Sequence, residues 1–198
     1  RLAAASACFC RYRNRGRLLK SVRAFLAVSL PASLQQRLAR LQADLSKALP
    51  GIRWTHPDTV HLTLRFFGET GIDDLEKIRA SMLSVALHAA AFQVDVCGLG
   101  AFPTRHRPRV VWLGLTPEES LRTLYQTCQR ELARAGIVAE PRDFAPHLTI
   151  GRFRERGPDL TPLLVKYAGT SFGPLPVEEL VLFESRLLPG GTRHLPLF

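Results

Sequence analysis

A chain of 198 residues with 46% hydrophobic side chains suits one domain with a sizeable core, or two intimately packed halves. No apolar run approaches the ~20 residues a membrane-spanning helix needs, and four cysteines without zinc spacing or disulfide density point to a soluble, cytoplasmic protein with reduced thiols. Of the net charge of +10, six charges (Arg1, Arg11, Arg13, Arg15, Arg17 and Lys20) fall in the acid-free residues 1–21, leaving +4 for the rest; this suits a polyanionic partner without naming one.

In chain order, residues 1–21 lack apolar periodicity and read as a flexible basic extension, composed like an organelle transit peptide or a plain basic arm. Arg23–Leu30 is short and apolar, as a buried strand is. Pro31 opens a helix to about Ala48, with Leu34, Leu38, Leu41 and Leu45 on one face, and Leu49-Pro50-Gly51 ends it. Strands follow at Ile52–Thr55 and Val60–Phe67, the second closed by Gly68. Ile72–His88 is helical, with Leu75, Ile78, Met82 and Val85 as its stripe. Phe92–Leu99 reads as a strand and Pro103–Pro108 as a basic turn. Arg109–Leu115 is another buried strand. Pro117 starts a helix that Gly136 stops. His147–Phe153 is a strand, Leu160–Tyr167 a short helix, and Val177–Leu187 and Arg193–Leu197 two final strands.

One tetrapeptide is written twice, His61-Leu62-Thr63-Leu64 and His147-Leu148-Thr149-Ile150, 86 residues apart. Shifting by 86 aligns the halves without a gap: Arg23–Pro31 falls on Arg109–Pro117, Leu38 on Leu124, Phe67 on Phe153 and Glu69 on Glu155. Strand, proline-started helix and motif-bearing strand recur in the same order. Two copies describe a duplication of lobes, because a solenoid needs three or more repeats.

Alternation in a strand puts His61 and Thr63 on one face and Leu62 and Leu64 on the other, and likewise His147 and Thr149 against Leu148 and Ile150. If a pseudo-twofold relates the lobes, two imidazoles and two hydroxyls line one cleft. Such a set suits phosphodiester cleavage: one imidazole takes a proton from water, the other gives one to the leaving oxygen. The threonine hydroxyls can bond the phosphate oxygens as charge shifts. With six His and twelve Thr, His-x-Thr arises roughly 0.4 times by chance. One copy would mean little; two in register within a duplication are much harder to dismiss.

The paired motifs, with Phe66-Phe67-Gly68 after the first, resemble the 2H phosphoesterase superfamily. Pro108-Arg-Val-Val-Trp-Leu-Gly114 and Ala145-Pro-His-Leu-Thr-Ile-Gly-Arg152 resemble its RNA 2′,3′-cyclic phosphodiesterase branch, formerly called 2′-5′ RNA ligases. The resemblance covers about Val22 to Phe198. It implies an α+β fold of two pseudo-symmetric lobes, each a mainly antiparallel sheet with helices outside, as a single unit over 22–198. It also implies opening of RNA 2′,3′-cyclic phosphate ends to 2′-phosphates, without metal or cofactor. By motif, His61 becomes the proton donor and His147 the acceptor, with Thr63, Thr149 and Arg152 on the phosphate; the near-symmetry of the motifs leaves the two histidine roles open on the residues alone. The implied partner is an RNA end, tRNA fragments among the candidates, or a nucleotide, and the protein is expected to be a monomer. The family often shows Tyr after Gly-x-x-Arg-type text; here Gly191-Thr-Arg193-His194 carries His.

Strict alternation turns Arg152 away from His147, so a strand end or bulge must intervene if it is to reach the phosphate. Phe67 is a candidate base contact, and Arg105 and Arg107 could guide an RNA backbone as readily as they could form a solvated turn. His56 reads as solvated, His88 as a helix-end residue that complements the dipole, and Trp112 as core. The rival readings are a 2′-5′ RNA ligase or phosphodiesterase, an enzyme acting on small cyclic nucleotides, and a non-catalytic RNA-binding module.

Overall fold

The computed structural model describes residues 2–4, 21–188 and 191–198. Its elements are β1 (Ala3–Ala4), β2 (Ser21–Ser29), α1 (Ala32–Ser46), β3 (Ile52–Trp54), a 3₁₀ turn (Pro57–Thr59), β4 (His61–Gly71), α2 (Ile72–His88), β5 (Phe92–Phe102), β6 (Val110–Thr116), α3 (Glu118–Arg134), β7 (Leu148–Phe153), α4 (Thr161–Lys166), β8 (Ser171–Val177), β9 (Glu179–Leu188) and β10 (Gly191–Pro196). The two proline-started helices form as expected, with Pro31 and Pro117 in extended conformation at their N-caps. Their leucine stripes are buried, so tertiary burial of one face holds each helix.

The strands run in the order β1-β9-β2-β4-β7-β6-β5-β8, with β10 added to β9 and β3 to β7. Every pair is antiparallel except β1 with β9. At the centre β4 meets β7 through the pair Leu62 and Leu148 alone. Two half-sheets, β9-β2-β4 and β7-β6-β5-β8, thus join at the middle residue of each His-x-Thr. Both leucines are fully buried, so the junction is held by the core.

The helices cross between lobes. Helix α1 belongs to the first half of the chain yet packs on β8, and its Arg37 donates to the Phe172 carbonyl at 3.3 Å. Helix α3 belongs to the second half yet packs on α2, which itself covers β4 and β9. Ser84 on α2 donates to Glu131 on α3 at 3.0 Å. Helices of the two halves are thus interleaved across the lobes.

The expected strand Val177–Leu187 forms as β9 (Glu179–Leu188), and a strand that was not expected, β8 (Ser171–Val177), precedes it. Pro174 and Pro176 hide β8 from sequence reading, yet at a sheet edge a missing N–H is tolerated. Gly68 does not close β4; its φ of 72° absorbs a bulge and the strand runs on to Gly71. The extension is tied down at its start: Leu2 is buried, its N–H donates to the Ala89 carbonyl at 3.0 Å, and Ala3 pairs with Glu179. Residues 5–20, on which the rest of that expectation falls, lie outside the described residues.

Candidate active site

The tetrapeptides sit side by side because Leu62 pairs with Leu148. Extending that antiparallel register one step each way puts His61 near Thr149, and Thr63 near His147. In β4, Ala27 faces Thr63 and Leu26 faces Arg65, so Leu64 is an extra residue. In β7, Trp112 faces Thr149 and Val111 faces Gly151, so Ile150 is extra. The fourth residue of the tetrapeptide is therefore a bulge in both lobes, and each bulge reverses the alternation beyond it. Arg152 consequently joins His147 and Thr149 in lining the cleft. In the other lobe Phe66 comes to the Phe25 side of the strand, with ring centroids 6.5 Å apart.

The two imidazoles are anchored alike. His61 Nδ1 lies 2.7 Å from the Thr59 carbonyl oxygen, and His147 Nδ1 lies 2.7 Å from that of Ala145. A carbonyl only accepts, so Nδ1 carries the proton in both rings and Nε2 of each neutral imidazole is left as an acceptor. Burial, opposed by the Thr59 bond and assisted by the nearby His194 and His147, lowers the His61 pKa to about 4. Its ring lies among Phe25 at 4.7 Å, His194 at 5.1 Å and Phe183 at 6.5 Å. His147 lies instead against Phe102 at 5.1 Å and Trp112 at 6.1 Å.

One cleft of about 550 Å³ holds His61, Thr63, His147, Thr149 and Arg152 together, with no carboxylate among its lining residues. The remaining expected contacts lie elsewhere. Phe67 packs against the core with the Arg65 guanidinium 5.2 Å from its ring centroid; the bulge at Leu64 turned it there, and Phe66 took the face it was expected to hold. Arg65 itself is buried and donates to Gln129 and to the Val138 carbonyl. Arg105 and Arg107 are exposed on the β5–β6 loop and do not line the cleft. Backbone bonds Leu160 N–H to Arg105 O (2.9 Å) and Gly157 N–H to Pro108 O (2.7 Å) hold that loop. Trp112 is half-buried rather than core: its ring stands behind His147 and its indole covers Gly100, leaving no room there for a Cβ. His88 closes the last turn of α2 as expected; His56 is exposed, also as expected, and lines the cleft's edge, paired with Asp58.

Arg53 and Gln42 escaped sequence reasoning, and His194 entered it only as a departure from the family's Tyr. Arg53 and His194 line the cleft; Arg53 carries no local signal, since only strand pairing brings it there. Gln42 is buried and donates to the carbonyls of Thr55 (2.7 Å) and Ile150 (3.0 Å), tying α1 to β3 and to the bulge. Its signal was present: it follows Leu38 by four residues on an apolar stripe.

Two lobes that bring two matched imidazoles and two threonine hydroxyls into one cleft define a two-histidine phosphoesterase. The chain belongs to the LigT-like phosphoesterase family, whose model matches it twice, over residues 28–112 and 113–194. The RNA 2′,3′-cyclic phosphodiesterases of Methanothermobacter thermautotrophicus and Archaeoglobus fulgidus are 34% and 32% identical to it. Each alignment spans 86% of this chain, and 93% and 94% of those proteins respectively. Among solved structures, TT0787 of Thermus thermophilus superimposes with a TM-score of 0.74 at 28% identity, covering 89% of this chain and 95% of that one. Apo Escherichia coli LigT gives 0.72 at 28% identity, covering 90% and 96%; LigT has also been solved with 3′-AMP.

Proposed function

We propose that this protein hydrolyses RNA 2′,3′-cyclic phosphate ends to 2′-phosphates. The observation that carries the reading is the matched imidazole pair, each fixed through Nδ1 with Nε2 left for chemistry, beside Thr63 and Thr149 in a carboxylate-free cleft. In-line displacement needs a base and an acid on opposite sides of phosphorus, and the pseudo-twofold supplies opposed positions. His147 Nε2 takes the proton of the attacking water. His61 Nε2–H delivers one to the departing 3′ oxygen. Thr63, Thr149 and Arg152 hold the non-bridging oxygens as charge moves onto the leaving group. The relatives named above as RNA 2′,3′-cyclic phosphodiesterases support the substrate class.

A donor needs a proton, and in the empty cleft burial holds His61 neutral at pH 7. The phosphodiester anion is the opposite charge that raises its pKa, so the substrate itself loads the acid. The His61 role is thereby tied to occupancy of the cleft. Neither metal nor cofactor enters the scheme. Residues 22–198 act as one bilobal, monomeric unit, and we place the protein in the cytoplasm. No described helix is long and apolar enough to cross a membrane, and Cys97 and Cys128 are free thiols.

The test is turnover of an oligoribonucleotide ending in a 2′,3′-cyclic phosphate, with chelator present and the product terminus identified. Formation of a 2′-phosphate, reduced about 10²–10⁴-fold in His61→Ala and in His147→Ala, is expected. A folded wild type that leaves the cyclic end intact overturns the reading; cleavage of 2′-5′ linkages or simple binding then becomes the next measurement.

A further inference from the structure

The cleft holds a charged pair that the chemistry above only half uses. Strand pairing sets Arg53 on β3 directly opposite Arg152 on β7. Both side chains are exposed and both line the cleft. Neither guanidinium has a carboxylate or side-chain hydrogen-bond partner among the described residues. Like charges directly opposite on neighbouring strands are destabilising; an anion beside them turns that cost into a binding interaction. The pairing is firmly built. Thr55 N–H donates to the Ile150 carbonyl at 3.0 Å, and Gln42 holds the Thr55 carbonyl at 2.7 Å. A Cβ on Gly151 would stand 2.7 Å from Ile52 and 3.0 Å from Trp54, so the missing side chain is what lets β3 approach.

Scale selects the anion. A cleft of about 550 Å³ has the size of sites that hold nucleotide-sized ligands rather than a lone phosphate. Arg53 is attached across from Arg152, two ladder steps beyond Thr149 and about 7 Å along the strand; with Arg152 engaged at the cyclic phosphate, Arg53 is the cation left for the next anion. With the cyclic phosphate at the threonines, the next negative charge of a polyribonucleotide is the phosphodiester on the 5′ side of the same nucleoside.

We propose that Arg53, beside Arg152, forms a second anion subsite that takes this 5′-side phosphodiester, so that the cleft selects RNA chain ends over free cyclic nucleotides. The inference rests on the cyclic-phosphate reading above. It is tested with three substrates: adenosine 2′,3′-cyclic phosphate, the same compound carrying a 5′-phosphate, and a diadenosine dinucleotide ending in the cyclic phosphate. Each is assayed with wild type, Arg53→Gln and Arg53→Lys.

In Arg53→Gln, kcat/KM for the dinucleotide falls roughly tenfold further than for adenosine 2′,3′-cyclic phosphate, as losing one charge-assisted hydrogen bond requires. The loss lies in KM, as expected for uniform binding, and Arg53→Lys recovers part of it. The slope of log(kcat/KM) for the dinucleotide against log salt shallows by about 0.7. Equal loss on all three substrates, or none, overturns the subsite. An effect confined to the 5′-monophosphate overturns its assignment to chain ends. If wild type turns over none of the three, the cyclic-phosphate reading falls and this inference falls with it.

Discussion

His61 and His147 differ less in how they are anchored than in what surrounds them. Each gives its Nδ1–H to the carbonyl two residues earlier, but His61 is pressed among Phe25, Phe183 and His194. Nitrogen NMR of the free protein at pH 6 therefore shows both rings as Nδ1–H tautomers when neutral, and His61 titrating near pH 4. Saturating a 2′-nucleotide product raises the His61 pKa; no rise would deny that the anion loads the acid. Stability carries the same signature. The folded pKa of about 4 lies below the unfolded value of about 6.5. Between those values the unfolded chain binds more protons, so stability is lost as pH falls from 6.5 to 4 and is constant with respect to this group above 6.5. Urea midpoints measured across that window fall less steeply in His61→Gln. At the hydroxyls, Thr63→Val and Thr149→Val keep the strand propensity and remove a donor to the phosphate. Each is expected to lower kcat about 10²-fold, measured on the cyclic-ended oligonucleotide.

A one-residue insertion decides what each strand presents. The bulges at Leu64 and Ile150 bring Arg152 into the cleft of one lobe and Phe66 to the Phe25 side in the other. They also send Arg65 and Phe67 to the helix side. The ladder beside Ile150 is braced by Gln42, whose amide reaches Thr55 and Ile150 from α1. Replacing it in Gln42→Leu leaves the Thr55 carbonyl without this donor. A loss of about 1–3 kcal/mol is expected in urea unfolding, with a rise in KM as β3 loosens. Gly151→Ala acts at the same joint. Its Cβ would meet the Ile52 and Trp54 side chains at 2.7 and 3.0 Å, which crowds the β3 face that carries Arg53. The expected outcome is a larger loss of kcat/KM on dinucleotides than on adenosine 2′,3′-cyclic phosphate, with the fold kept by circular dichroism.

On the scale of the molecule, the duplication is not two independent domains. Helix α1 of the first half lies on β8, α3 of the second lies on α2, and β9 of the second completes the sheet beside β2 of the first. Fragments 21–108 and 109–198, expressed apart, are therefore expected to show no cooperative urea transition, and one to appear when they are mixed; a cooperative transition in either alone would refute the exchange. The repeated tetrapeptide, the leucine stripes and the proline-opened helices could be read from the chain because they are local: side-chain period and backbone restriction act within a few residues of their cause. Hence the α+β class, the pairing of the histidines and threonines in one site, and most element boundaries were present in the sequence. Arg53, His194, the true faces of Phe66 and Phe67, and the strand character of Ser171–Val177 were not. Each depends on which strand lies alongside, and in what register, and that is set by burial between residues distant in the chain. The sequence alone determined the His-x-Thr pair and its repetition. Only the tertiary structure decided which neighbours surround it, because a bulge in a ladder and a crossing of helices are properties of pairs of segments and not of either one.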